Sequence, residues 1–61
     1  MIKSITKAYP ASKYQEISLI LDQYRSEIGF LEIEWTIVES EYIFKLYLTC
    51  TNATLYQLLT E

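Results

Sequence analysis

The chain of 61 residues has no histidine, one cysteine, one glycine and one proline. Without histidine, general acid–base chemistry would fall to Glu, Asp, Lys or Tyr. One cysteine cannot close an internal disulfide, and the zinc-finger ligand pattern is missing. A single glycine leaves no Gly-rich phosphate loop. No apolar run reaches the roughly 18 residues of a membrane-spanning helix. Met1-Ile2-Lys3-Ser4 lacks the apolar core of a signal peptide, so the expected location is cytoplasmic. Five basic residues stand against eight acidic ones, a net charge of −3, where nucleic-acid binding wants a basic face.

What is present is apolar and aromatic. The 51% hydrophobic content and 15% aromatic content, six Tyr, two Phe and one Trp, exclude a disordered chain. The length allows one domain, residues 1–61. Surface scaling gives about 10,400 Å² for the unfolded chain and about 4,100 Å² for the folded monomer. Burial then contributes about 95 kcal/mol, against about 90 kcal/mol of lost conformational entropy. A monomer of this size sits close to the margin.

The clearest periodicity follows Pro10-Ala11-Ser12. Ser12 with Gln15 has the capping-box spacing. Tyr14, Ile17, Ile20, Leu21, Tyr24 and Ile28 then recur at threes and fours within a sector of about 120°. Gly29 stands where a left-handed C-cap is wanted. The spacing predicts a helix over 13–28, with Leu19 alone on its polar side.

After Gly29 the period changes to two. In residues 31–38 the odd positions are apolar, and in residues 42–50 the even ones are. Two half-buried strands follow from that alternation. A turn centred on Ser40-Glu41 pairs Ile37 with Phe44, Trp35 with Leu46, Ile33 with Leu48 and Leu31 with Cys50. The opposite face then pairs Val38 with Ile43, Thr36 with Lys45, Glu34 with Tyr47 and Glu32 with Thr49. A slip of one residue would mix the two sets, so parity is fixed.

Residues 2–9 read as a strand from their β-branched content, with Ile2, Ser4, Thr6 and Ala8 on one side. Thr51 or Asn52 caps a short C-terminal helix carrying Leu55, Leu58 and Leu59 on one face. Glu61 stands at the unfavourable end of its dipole, and a helix this short needs a surface to pack on. The expected fold is α+β in β-α-β-β-α order, a three-stranded sheet with the long helix packed on one face and a short C-terminal helix. With the first strand beside the third, whose apolar content suits the centre of the sheet, that layout resembles five of the six elements of a ferredoxin-like fold. The alternative is a right-handed parallel crossover placing the first strand beside the second.

The candidates for chemistry are few. Glu32 and Glu34 lie about 7 Å apart on one strand face, but paired carboxylates work in a cleft, and the chain has no long loops to build one. Cys50 ends the second hairpin strand on its apolar side and reads as a buried small hydrophobe. Lys3, Lys7 and Lys13 gather with Tyr9 and Tyr14 near the N-terminus, a pattern that also protects an edge strand from aggregation. No catalytic, cofactor-binding or metal-ligating residue emerges, and no enzyme is expected.

Charge and aromatics point instead to a contact surface. From Glu27 to Glu41 there are five acids and no base, and an intramolecular pairing of Lys3 or Lys7 with Glu32 or Glu34 is the plainer account of that distribution. Glu32, Glu34, Val38, Ile43, Lys45 and Tyr47 share the hairpin face turned away from the helix, and tyrosine among carboxylates and aliphatics is an interface composition. The expectation is a non-enzymatic interaction module of inhibitor or adaptor type. It binds a partner protein through these residues, forms a homodimer, and contacts neither nucleic acid nor membrane. The alternative is an oligomeric flavin-type ligand binder. A strand, a helix and then a Trp-bearing hairpin is similar in element order to the dodecins, small flavin-storing shells. That resemblance implies Trp35 facing an intersubunit cavity, whereas the alternation sends it under the helix.

Overall fold

A computed structural model describes residues 1–60, so Glu61 lies outside the described residues. It is a mixed α/β structure, a three-stranded antiparallel sheet with two α-helices. In chain order the elements are β1 (Lys3–Pro10), α1 (Tyr14–Gln23), β2 (Ile28–Val38), β3 (Glu41–Cys50) and α2 (Ala53–Thr60), with single 3-10 turns before and after α1. The sheet order is β1-β3-β2. The most apolar strand is therefore central, and β1 and β2 are its edges.

Alternation sends Phe44, Leu46, Leu48 and Cys50 of β3 to one side, where all four are buried. Ile5 and Tyr9 of β1, Ile17 and Leu21 of α1, and Leu55 and Leu59 of α2 complete a single core cluster. Both helices thus contribute to the core on the same side of the sheet. α2 docks through Leu55 and Leu59, and the Tyr9 hydroxyl donates to the Leu59 carbonyl. Burial raises the Tyr9 phenol above its ordinary pKa, so this contribution is fully present below pH 10 and fades as alkali ionises the ring. None of the described helices is long and apolar enough to cross a membrane.

The first helix is shorter than its periodicity predicts. It ends at Gln23, and Tyr24 (φ −112°, ψ 18°) has already left helical geometry. Tertiary bonds turn the chain here: the Glu27 carbonyl accepts the Thr51 N–H at 3.1 Å, and the Glu27 carboxylate accepts the Asn52 side-chain amide at 3.0 Å. Ile28 opens β2 instead of closing the helix. The start differs as well. Ser12 lies in the preceding 3-10 turn, and α1 begins without a side-chain cap. Lys13 and Glu16 form an exposed 3.3 Å ion pair in its first turn instead, a weak substitute.

Gly29 is not a C-cap, since its φ is not positive. It sits at an irregularity between Ile28 and Phe30, where β2 slips relative to β3. A Cβ added there would meet the Thr49 hydroxyl oxygen at 3.0 Å, and that same oxygen accepts the Phe30 N–H at 3.0 Å. A side chain at residue 29 would have to displace that hydroxyl by a few tenths of an ångström, a close approach of the kind that glycine serves at a bulge. For α2 the expected cap is present: Asn52 Oδ1 accepts the Leu55 N–H at 3.0 Å, satisfying one of the free donors of the first turn.

The hairpin has the expected parity and a different register. Trp35 pairs with Phe44, Ile33 with Leu46, Leu31 with Leu48, Glu34 with Lys45, Glu32 with Tyr47 and Thr36 with Ile43. The turn is Glu39-Ser40, one residue earlier than expected, and both residues have positive φ, 50° and 68°. Two such residues give the type I′ turn whose twist matches paired strands. Its geometry outweighs the missing Asn-Gly signal and moves every pairing by two residues, which preserves the faces. The turn is consequently strained in its side chains' preferences. Replacing Ser40 by Gly should raise stability by about 0.5–1 kcal/mol, read as a higher urea midpoint with an unchanged slope; an unchanged or lower midpoint contradicts the turn assignment.

Candidate functional site

The two faces of the sheet are unlike. Both helices contribute to the core on one face, while no described element contributes buried residues to the other. Strand pairing arranges this open face in rows. Thr6, Tyr47 and Glu32 form one row, Ala8, Lys45 and Glu34 the next, and Pro10, Ile43 and Thr36 a third. Val38 stands beside the turn, opposite Glu41.

All six residues singled out from the sequence fall on this face. Glu32, Glu34, Val38 and Lys45 are exposed, and Ile43 and Tyr47 are half-buried. The register shift changes their neighbours. Glu34 now faces Lys45, where Tyr47 was expected, and Glu32 faces Tyr47, where Thr49 was expected. Cross-strand neighbours of opposite charge attract modestly in solvent. The face therefore offers carboxylates along its β2 margin, with a lysine and a tyrosine ring along its central strand.

β1 supplies a part of the face that the sequence reading did not include. Ser4, Thr6 and Ala8 project to the same side, are exposed, and flank Thr49, Tyr47 and Lys45. Being small, they leave the β3 side chains standing above their β1 neighbours. The signal was available in the shared parity of these residues, and only the placement of β1 beside β3 gives it meaning.

Two further expectations are corrected by the strand order. Trp35 is not beneath the helix. It lies on the helix-bearing face but on an edge strand, half-exposed at 50%. Its ring packs against Tyr14 (5.2 Å between centroids) and Phe44 (5.3 Å), at the end of a four-ring cluster completed by Tyr9. The pairing of Lys3 or Lys7 with Glu32 or Glu34 is prevented by position, because β3 separates the strands and the lysines project to the helix-bearing side. Lys3 lies 5.0 Å from the centre of the Tyr56 ring, and Lys7 lies 5.4 Å from that of Tyr9. Tyr9 itself is buried and stacked on Phe44, so it has no free ring face to offer a nucleobase.

The rest of the surface is chemically plain. Cys50 is buried in the core, with its sulfur 3.7 Å from the Asn52 carbonyl oxygen. Among the described residues no group of three or more His, Cys, Asp and Glu is placed to hold a metal ion. One concavity lies between α1 and the start of β2, around Leu21, Asp22, Arg25 and Leu31. Another lies among β1, α1 and α2, around Lys7, Ile17, Ile20 and Leu58. Glu32 and Glu34 line neither and stand on the open face. Comparison with known proteins finds no matching family model, no matching curated protein and no matching solved structure.

Proposed function

We propose that this chain is a small non-enzymatic interaction module of inhibitor or adaptor type, located in the cytoplasm. It acts as a homodimer and docks a partner protein on its open hairpin face. The fold is read as the β-α-β-β-α half of a ferredoxin-like arrangement, with the long helix covering one face so that the other is free to bind. The single observation carrying this reading is the composition of that free face, where Glu32, Glu34, Lys45 and Tyr47 stand in adjacent rows beside Ile43 and Val38. Aromatic and aliphatic area supplies contact energy, and the carboxylate margin supplies orientation and encounter rate toward a partner carrying basic groups.

The test is affinity capture from the native host with two baits, the wild-type chain and the Glu32→Ala/Glu34→Ala double variant. The substituted side chains are exposed, so the fold should persist within about 0.5 kcal/mol. A protein retained by the first bait and lost by at least about tenfold on the second fits a charge-oriented interface. Equal capture by both baits removes the carboxylates from the mechanism.

A flavin-type binder is the second reading, and the half-exposed Trp35 ring is what favours it, because an accessible indole can stack on an isoalloxazine. The chain has one tryptophan, so its fluorescence reports this site alone. Added flavin should quench it if the reading is correct, and unchanged emission disposes of it.

A further inference from the structure

The outer edge of β2 is the least protected part of the sheet. β1, the opposite edge, carries Lys3, Lys7 and Pro10, the residue types that discourage edge-to-edge pairing. β2 runs for 11 residues with neither lysine nor proline. Its irregularity is confined to Ile28/Phe30, and it is regularly paired from Phe30 to Val38. Of the eleven exposed large hydrophobic residues among those described, five are on this strand: Phe30, Leu31, Trp35, Ile37 and Val38.

Backbone direction follows from the turn. A two-residue hairpin makes its flanking pair, Val38 and Glu41, a hydrogen-bonded pair. Even-numbered residues of β2 therefore direct their N–H and C=O groups to β3, as the Phe30 N–H to Thr49 also shows. Odd-numbered residues then direct theirs to the free edge. Ile33, Trp35 and Ile37 present a ready-made ladder, and their side chains are those on the helix-bearing side.

The geometry points to a second copy of this chain as the occupant of that edge, with β2 antiparallel to β2 and Trp35 on the two-fold axis. Charge selects the register. Centring the axis on Glu32, Ile33 or Glu34 sets glutamate directly against glutamate, which is destabilising. Centring it on Leu31 runs the ladder into the bulge, and centring it on Thr36 shortens the ladder to residues 34–38, because Ile33 and Glu32 then face the partner's turn at Glu39 and Ser40. With Trp35 on the axis, Ile33 faces the partner's Ile37, Glu34 faces the partner's Thr36 and Glu32 faces the partner's Val38. No like charges stand directly opposite one another within the ladder. Two-fold symmetry repeats each pair, giving a continuous six-stranded sheet with all helices on one side. The edge thus gives the proposed homodimer its interface, and it leaves the open faces of both copies uncovered for the docking already proposed.

Two variants and one size measurement test this. In a sedimentation dilution series the wild-type chain should pass from twice the chain mass to the single-chain mass. Ile33→Pro removes an outward-facing N–H from each copy while leaving every bond to β3 intact. It should weaken dimerisation by about tenfold or more with an unchanged circular dichroism spectrum. Separately, Glu34→Cys and Thr36→Cys proteins mixed under oxidation should form the mixed disulfide ahead of either self-disulfide. The 34–36 pair across the axis has Cα atoms about 4.5 Å apart, within disulfide reach, whereas 34–34 and 36–36 are diagonal. This second arm holds even if the proline variant does not fold. A wild-type chain of single mass at high micromolar concentration, or no excess of the mixed disulfide, overturns the inference. Loss of partner capture by the Glu32→Ala/Glu34→Ala variant would survive that failure, so the two readings fall separately.

Discussion

Phe44→Ala should leave the chain largely unfolded at room temperature, with a loss of about 3–5 kcal/mol. Phe44 has no exposed surface, and its ring is shared by three aromatic neighbours, Tyr9, Tyr14 and Trp35. Truncation removes the large transfer energy of a buried ring and leaves a cavity that cannot collapse, since it is bounded by strands on both sides of β3. A small domain has only about 5–15 kcal/mol in total, and a chain of this length belongs at the low end of that range. Far-ultraviolet circular dichroism and urea titration read the outcome directly. A variant that keeps its midpoint would mean that the aromatic cluster does not hold the sheet to the helices.

The second large effect concerns α2. A helix of eight residues (Ala53–Thr60) is not stable by itself, so its order must come from packing. Leu55 and Leu59 are fully buried, while Leu58 between them is 43% exposed. Leu55→Ala should cost about 2–5 kcal/mol, and Leu58→Ala should stay within about 0.5 kcal/mol. The contrast matters more than either value, because it separates packing within the subunit from packing between subunits. Equal and small effects at both positions would show that α2 is detached in solution. A concentration-dependent loss at Leu58 alone would make α2 an intersubunit element.

The faces of the hairpin were legible in the sequence because strand alternation is a local property. Residues 31–38 and 42–50 each carry one apolar parity, and no register consistent with that parity could exchange the two sets. The register itself was not legible. Glu39 and Ser40 adopt positive φ without being Asn or Gly, so the turn carries no Asn-Gly sign in the sequence and parity alone is equally satisfied one residue further along. The helix was read too long for a different reason. Tyr24 and Ile28 continue the helical spacing, but bonds from Glu27 to Thr51 and Asn52 redirect the chain, and those partners lie more than twenty positions away.

Exposure of individual residues on a correctly assigned face was the least readable feature. Trp35 and Phe44 are paired neighbours on the same side of the sheet. One is half-exposed and the other is completely buried, because β2 is an edge and β3 is central. Alternation alone does not distinguish edge from centre. The greater apolar content of residues 42–50 does point to a central strand, as the sheet order has it, but not to how far its edge neighbours are exposed. The strand order leaves the β2 edge exposed and aligns β1's small residues with Lys45 and Tyr47 on the open face.

The most direct measurement is a nuclear magnetic resonance titration of the isotope-labelled chain with the protein retained in the capture experiment. Shifts should concentrate at Glu32, Glu34, Ile43, Lys45 and Tyr47, with Thr6 and Ala8 beside them, while the resonances of Leu46, Leu55 and Leu59 keep their positions. Shifts confined to the outer surfaces of α1 and α2, with those strand residues unmoved, would contradict docking on the open face.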